Sequence, residues 1–216
     1  GKRSQLPILF YHRVLPEPDP LLPHTPDARL FDLHMSTLAT LYTPVSLDEG
    51  VHGLHQGTLA PGSVCVTFDD GYRDNVDVAL PILERHRVPC AFFVSSGLLA
   101  GSNLFTDRIR ESVRRMPAGH YELGWAELGQ RRIAGTGSRI LLIDELAAAI
   151  KRLPLETRAE ACDRLAAMVD DAQPVDLMMR PDDLLTLHRA GMTIGGHTVD
   201  HPILTSLAPH AAMAQI

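Results

Sequence analysis

Residues 64–94 decide the fold: Val64-Cys65-Val66-Thr67-Phe68-Asp69-Asp70-Gly71 at one end, Cys90-Ala91-Phe92-Phe93-Val94 at the other. The β-branched, apolar run 64–68 predicts a buried strand. Between the two runs, Val78, Leu80, Ile82 and Leu83 are the apolar positions of a helix over 75–87. Residues 90–94 predict a second buried strand. Strand, helix and strand within about 30 residues form a βαβ unit, and that crossover requires parallel pairing.

Working outward, residues 6–14 read as another buried strand, followed by a loop with five prolines between 16 and 26. Phe31, Met35, Leu38 and Leu41 recur at helical spacing. Ser46-Leu47-Asp48-Glu49 is a capping box that opens a short helix ending near Gly53 or Gly57. On the other side, the stretch 101–179 changes texture. Arg and Glu rise, and 141–153 and 155–169 read as two amphipathic helices broken at Pro154. The expectation is a single domain over 1–216 carrying a helical insertion at 102–178. The βα rhythm returns with a helix at 182–190 closed by Gly191. A short strand at 192–194 then runs into Gly195-Gly196-His197. After a turn at 202–207, residues 208–216 begin another helix.

The 216 residues carry 20 Lys and Arg against 26 Asp and Glu, a net charge of −6. That balance argues against nucleic acid or an anionic membrane surface as the main partner. No apolar run reaches the roughly 20 residues of a membrane span. Cys65, Cys90 and Cys162 are odd in number and far apart, which argues against a disulfide framework or a cysteine zinc site. The basic start Gly1-Lys2-Arg3-Ser4-Gln5 leads into an apolar stretch broken at Pro7, a poor secretory leader. A cytoplasmic location is expected, or a periplasmic or cell-surface one where a leader has been removed.

In parallel α/β folds, function gathers at the carboxyl ends of strands. Three clusters fall there. Asp69-Asp70 follows a buried strand, where two adjacent carboxylates are costly without a positive partner; one of them capping the next helix is the competing reading. His197-Thr198-Val199-Asp200-His201 sets two imidazoles four residues apart. Pro202 disfavours helix at His201, so the pair belongs to a turn. Thr198 stands where a zincin has its glutamate, which argues against a metalloprotease. One carboxylate and two imidazoles make a borderline ligand set suited to zinc, cobalt, iron or nickel. The third cluster, Tyr11-His12, ends the first strand; its histidine reads as a hydrogen-bonded core residue or as a catalyst. The other eight histidines read as solvated surface, and Trp125 as a packing residue or a sugar platform.

Thr67-Phe68-Asp69-Asp70-Gly71 and His197-Thr198-Val199-Asp200-His201-Pro202 resemble the first and second motifs of the polysaccharide deacetylases, the NodB-type proteins of carbohydrate esterase family four. Ile8-Leu9-Phe10-Tyr11-His12 is similar to the N-terminal YH segment of the branch acting on exported poly-N-acetylglucosamine. The resemblance covers residues 6–100 and 180–210. It implies a distorted, incomplete (β/α) barrel and metal-dependent hydrolysis of the acetamide of N-acetylated sugars in a surface glycan. Asp69 would be the general base. Asp70, His197 and His201 would hold a divalent metal, zinc first, with cobalt, nickel or iron as alternatives. In the permuted branch His12 takes the place of the acid that a later motif normally supplies. The family's third and fourth motifs lie beyond the second, so the C-terminal part of the barrel is expected after Ile216.

The chemistry those residues would perform is amide hydrolysis. A zinc-like ion polarises the carbonyl and acidifies bound water. Asp69 would take the water proton, a backbone N–H near Tyr72 would hold the oxyanion, and His12 would protonate the leaving nitrogen. Two rivals share the ligand set. One is a non-haem iron enzyme, which usually takes an HxD pair on a jelly roll; the other is a catalytically impaired sugar-binding relative.

Overall fold

The computed structural model describes residues 5–99, 101–169 and 176–216. The basic start 1–4 and part of the expected insertion, 170–175, lie outside the described residues. The chain forms two compact units: 1–19, 24–102 and 177–216 make the first, 20–23 and 103–176 the second.

The first unit is built on parallel strands β1 (Ile8–Tyr11), β2 (Thr43–Pro44), β3 (Ser63–Phe68), β4 (Cys90–Val94) and β7 (Thr193–Gly196). Their order is β1-β3-β4-β7, with β2 paired to the start of β3. Every ladder in this sheet is parallel, as the βαβ reading requires. The sheet does not close on itself among the described residues, so the barrel is incomplete.

Helix α1 (Ala28–Leu41) starts where Asp27 accepts the Leu30 N–H at 2.8 Å and buries Phe31, Met35 and Leu38. Leu41, expected on that stripe, is exposed instead, because the helix ends there and the chain turns into β2. Helix α2 (Leu47–Gln56) carries the predicted box: Ser46 caps the Glu49 N–H, Glu49 reaches back, and Gly57 ends the helix left-handed. The segment read as one helix over 75–87 is a π-helical stretch, Asn75–Ala79, running into α3 (Leu80–His86). Helix α7 (Pro181–Arg189) precedes β7, with Gly191 at positive φ between them, and α8 (Pro209–Met213) follows it.

Alternation gives the sheet two unlike faces. One face presents Tyr11, Phe68 and Phe92, whose rings stack at 5.4 and 5.2 Å with Phe31 of α1 edge-on to the first two. Full burial of each such ring contributes about 2–3 kcal/mol. The other face presents the smaller Cys65, Thr67 and Ala91 beside the exposed Ile8 and Phe10.

The second unit holds α4 (Phe105–Arg115), a hairpin of β5 (Gly119–Glu122) and β6 (Gln130–Ile133), α5 (Thr136–Ile150) and α6 (Leu155–Ala166). Its own core includes Ile109, Val113, Leu146, Ile150 and Leu165. The two helices split at Pro154 agree with the sequence reading; the antiparallel hairpin is an addition to it. Trp125 packs into this core with the Arg164 guanidinium 5.4 Å from its ring, so packing accounts for it.

Candidate metal centre

Register places the polar strand ends side by side. Tyr11 pairs with Phe68, so His12 and Asp69 follow as neighbours, and the Asp69 N–H donates to the Tyr11 carbonyl at 2.9 Å. Val94 pairs with Gly196, so Ser95 and His197 follow as neighbours, and the His197 N–H donates to the Val94 carbonyl at 2.9 Å.

Strict alternation would send Asp69 and Asp70 to opposite faces. Asp70 breaks it with φ 76°, and Gly71 follows at φ 90°. At Gly71 a side chain is also excluded sterically, since a Cβ would stand 2.6 Å from Val94 Cγ1. The turned Asp70 carboxylate is buried, with Oδ1 3.5 Å from His197 Nε2 and 3.2 Å from His201 Nε2. The imidazoles are half-buried, their centroids 5.1 Å apart. The three residues offer ligand atoms within 4.8 Å of one another. The histidines belong to an irregular loop, with Thr198 at φ 64° and His201 at φ 53°, not to a helix. Three left-handed non-glycine residues in one site store strain of about 1–3 kcal/mol each.

Asp70 Oδ1 is buried and receives no hydrogen bond from any of the described residues. A buried carboxylate oxygen without a donor is costly unless a cation compensates it. Metal–ligand bonds of about 2.0–2.1 Å at a tetrahedral ion put neighbouring ligand atoms about 3.3 Å apart. The Asp70–histidine distances match that spacing, so the residues present fit a divalent ion.

Asp69 is half-buried and His12 exposed; they adjoin at the ends of β1 and β3 beside the three-residue cluster but are not members of it. His12 is therefore not a core histidine. The cluster also needs neighbours that local sequence did not single out. Ser95, fully buried, donates from Oγ to the His197 carbonyl at 2.9 Å and from N–H to the Asp70 carbonyl at 3.2 Å. Asp74, at the start of the helix that follows, makes no capping bond there. It holds Arg13 at 2.7 Å and the Val14 N–H at 3.3 Å. Asn75, also buried, donates to the His12 carbonyl at 2.9 Å. The segment after Asp69-Asp70 thus ties down the segment around His12. Arg13 in turn lies 4.7 Å over the Tyr72 ring. Tyr72 pairs with Met178 in an antiparallel bridge, flanked by bonds from the Arg73 N–H to the Leu177 carbonyl and from the Met179 N–H to the Gly71 carbonyl.

Residues 56–125 match the family model described as polysaccharide deacetylase, a span that contains Asp69 and Asp70. The Streptococcus pyogenes deacetylase PplD, solved in complex with acetate, superposes at a TM-score of 0.59 and 17% identity, over 99% of this chain and 65% of that one. The chain has the fold of the polysaccharide deacetylases. It spans less than two thirds of the length of the streptococcal deacetylase. A de-N-acetylase from Aggregatibacter actinomycetemcomitans is similar at 19% identity and a TM-score of 0.49, over 89% of this chain and 54% of that one. No curated protein sequence matches the chain. The sheet that carries the cluster is parallel and crossed over by helices, not the jelly roll that non-haem iron enzymes usually take. Among the described residues no helix is long and apolar enough to cross a membrane.

Proposed function

We propose that this chain is a metal-dependent hydrolase of amide C–N bonds that removes acetyl groups from N-acetylated amino sugars of a bacterial surface glycan. The observation that carries the reading is the convergence of Asp70, His197 and His201 around a buried carboxylate oxygen that none of the described residues hydrogen-bonds. The deacetylase match over 56–125 supports it from an independent direction.

Asp70, His197 and His201 would hold a divalent ion, with zinc best suited to this nitrogen-and-oxygen set. When bound, the ion polarises the acetamide carbonyl and acidifies water. The chain's own residues do the rest. Asp69, next in sequence to a ligand but outside the cluster, is the base that takes a proton from water. His12, neighbour of Asp69 across the β1–β3 ladder, carries the proton given to the departing sugar nitrogen. Asn75 fixes the His12 backbone and Arg13–Asp74 fixes the residue beyond it, so acid and base are held on adjacent rigid strand ends. A backbone N–H near Tyr72 would meet the oxyanion.

Acetate release from N-acetylated oligosaccharides with zinc or cobalt added tests the reading. Release that is lost with Asp69→Asn and retained with a surface substitution such as Glu84→Gln supports it. No release from any N-acetylated glycan by the zinc-loaded protein would overturn it.

A further inference from the structure

We propose that Gln215 is a positioning residue that holds the His197–His201 loop in its ligating shape. This inference rests on the metal reading above. Both imidazoles ride on one short loop with two left-handed residues, a conformation that the surroundings must enforce. On one side the chain after β4 grips it. The Ser95 hydroxyl donates to the His197 carbonyl, the Ser96 N–H to the Thr198 carbonyl at 3.2 Å, and the Gly97 N–H to the Val199 carbonyl at 2.9 Å. Those contacts hold the loop up to Val199. Beyond it, the His201 N–H bonds within the loop, to Thr198 Oγ1 at 3.0 Å.

The other side is held by Gln215. Its carbonyl accepts the Val199 N–H at 3.0 Å, its side-chain Oε1 accepts the Asp200 N–H at 2.8 Å, and its Nε2 donates to Asp200 Oδ2 at 2.8 Å. One glutamine thus satisfies two consecutive amides and the carboxylate between the histidines. The other oxygen, Asp200 Oδ1, lies 2.7 Å from where a Cβ on Gly97 would be, so Asp200 is confined between Gly97 and Gln215. The polarity is specific: the side-chain amide offers its acceptor to a backbone N–H and its donor to a carboxylate. A carboxylate at 215 keeps the first bond and turns the second into repulsion. Converting Asp200 to an amide restores a donor–acceptor pair with the roles exchanged.

Zinc affinity of the full chain, read by calorimetry, and hydrogen exchange of the loop amides in the metal-free protein test this together. Gln215→Ala is expected to weaken zinc binding about tenfold, the effect typical of a residue supporting a ligand. Loop exchange should quicken by about the same factor, as the side-chain bond that protects the Asp200 amide is lost together with the one to its carboxylate. Gln215→Glu should be at least as damaging, and Gln215→Glu combined with Asp200→Asn should regain affinity to within about threefold of the parent. The swap separates positioning from general stability, since a merely structural role gives no reason for the second substitution to rescue the first. Unchanged zinc affinity and exchange in Gln215→Ala, or no rescue in the double variant, overturns the proposal. If the parent itself binds no zinc, the metal reading fails instead, and loop exchange alone then decides whether Gln215 braces the loop.

Discussion

Asp70 Oδ1 lies 3.2 Å from His201 Nε2, a buried carboxylate oxygen from the end of β3 against an imidazole from the loop beyond β7. Among the described residues no hydrogen-bond donor satisfies that oxygen. A buried oxygen without a donor is costly and a shared cation would compensate it, which places a cost where a ligand is to be held.

Asp70→Asn should therefore separate binding from stability. Zinc affinity is expected to fall by at least about 100-fold with loss of a direct ligand. The metal-free protein should keep its urea midpoint or gain up to about 1–2 kcal/mol, because a buried charge is removed. Calorimetry with zinc and urea unfolding monitored by circular dichroism read the two effects.

Asp69→Asn and His12→Ala should show the opposite pattern. Each is expected to lower acetate release by about 10²–10⁴-fold, the range for general acid–base groups. Zinc affinity should stay within about threefold, since neither residue is in the cluster. A large affinity loss in either variant would make that residue a ligand and not a proton carrier.

Much of this was legible because it is local. The β-branched run of β3, the Ser46–Glu49 box and the Pro202 that keeps His201 out of a helix each act through neighbours in sequence. What escaped depends on distant partners. His86 was read as solvated, yet its Nε2 is 2.8 Å from Asp32 on α1, and His34 lies 3.2 Å from the Tyr11 hydroxyl. The strands β5 and β6, Gly-His-Tyr-Glu and Gln-Arg-Arg-Ile, are short and mostly polar, so no apolar run announces them. Gln215 and Ser95 carry no motif at all; only the folded loop gives them their partners.

Gly71→Ala should be more damaging than an ordinary glycine substitution. The position has φ 90°, and the new methyl would meet Val94 Cγ1 at 2.6 Å. Left-handed strain of about 1–2 kcal/mol and overpacking of about 1–3 kcal/mol together predict a loss of about 2–5 kcal/mol in urea unfolding. Val94→Ala in the same background should recover part of it by removing the clash.

Burial pushes the Cys90 thiol well above the usual cysteine range. The native state thus holds that proton more tightly than the unfolded chain does. The associated stability is fully present below the unfolded value of about 8.5 and falls as pH rises beyond it, by up to about 1.4 kcal/mol per pH unit. Cys90→Ala should flatten the alkaline limb of a stability–pH curve between about pH 8.5 and 10 relative to the parent. The buried Cys65, Cys90 and Cys162 should all resist aromatic disulfide reagents at neutral pH until the chain unfolds.

The most direct measurement is an anomalous difference map from zinc-soaked crystals, collected on either side of the zinc absorption edge. A single strong peak within about 2.0–2.2 Å of Asp70, His197 and His201 is the predicted result. A map with no peak among those three side chains, or with zinc bound only elsewhere, would contradict the account.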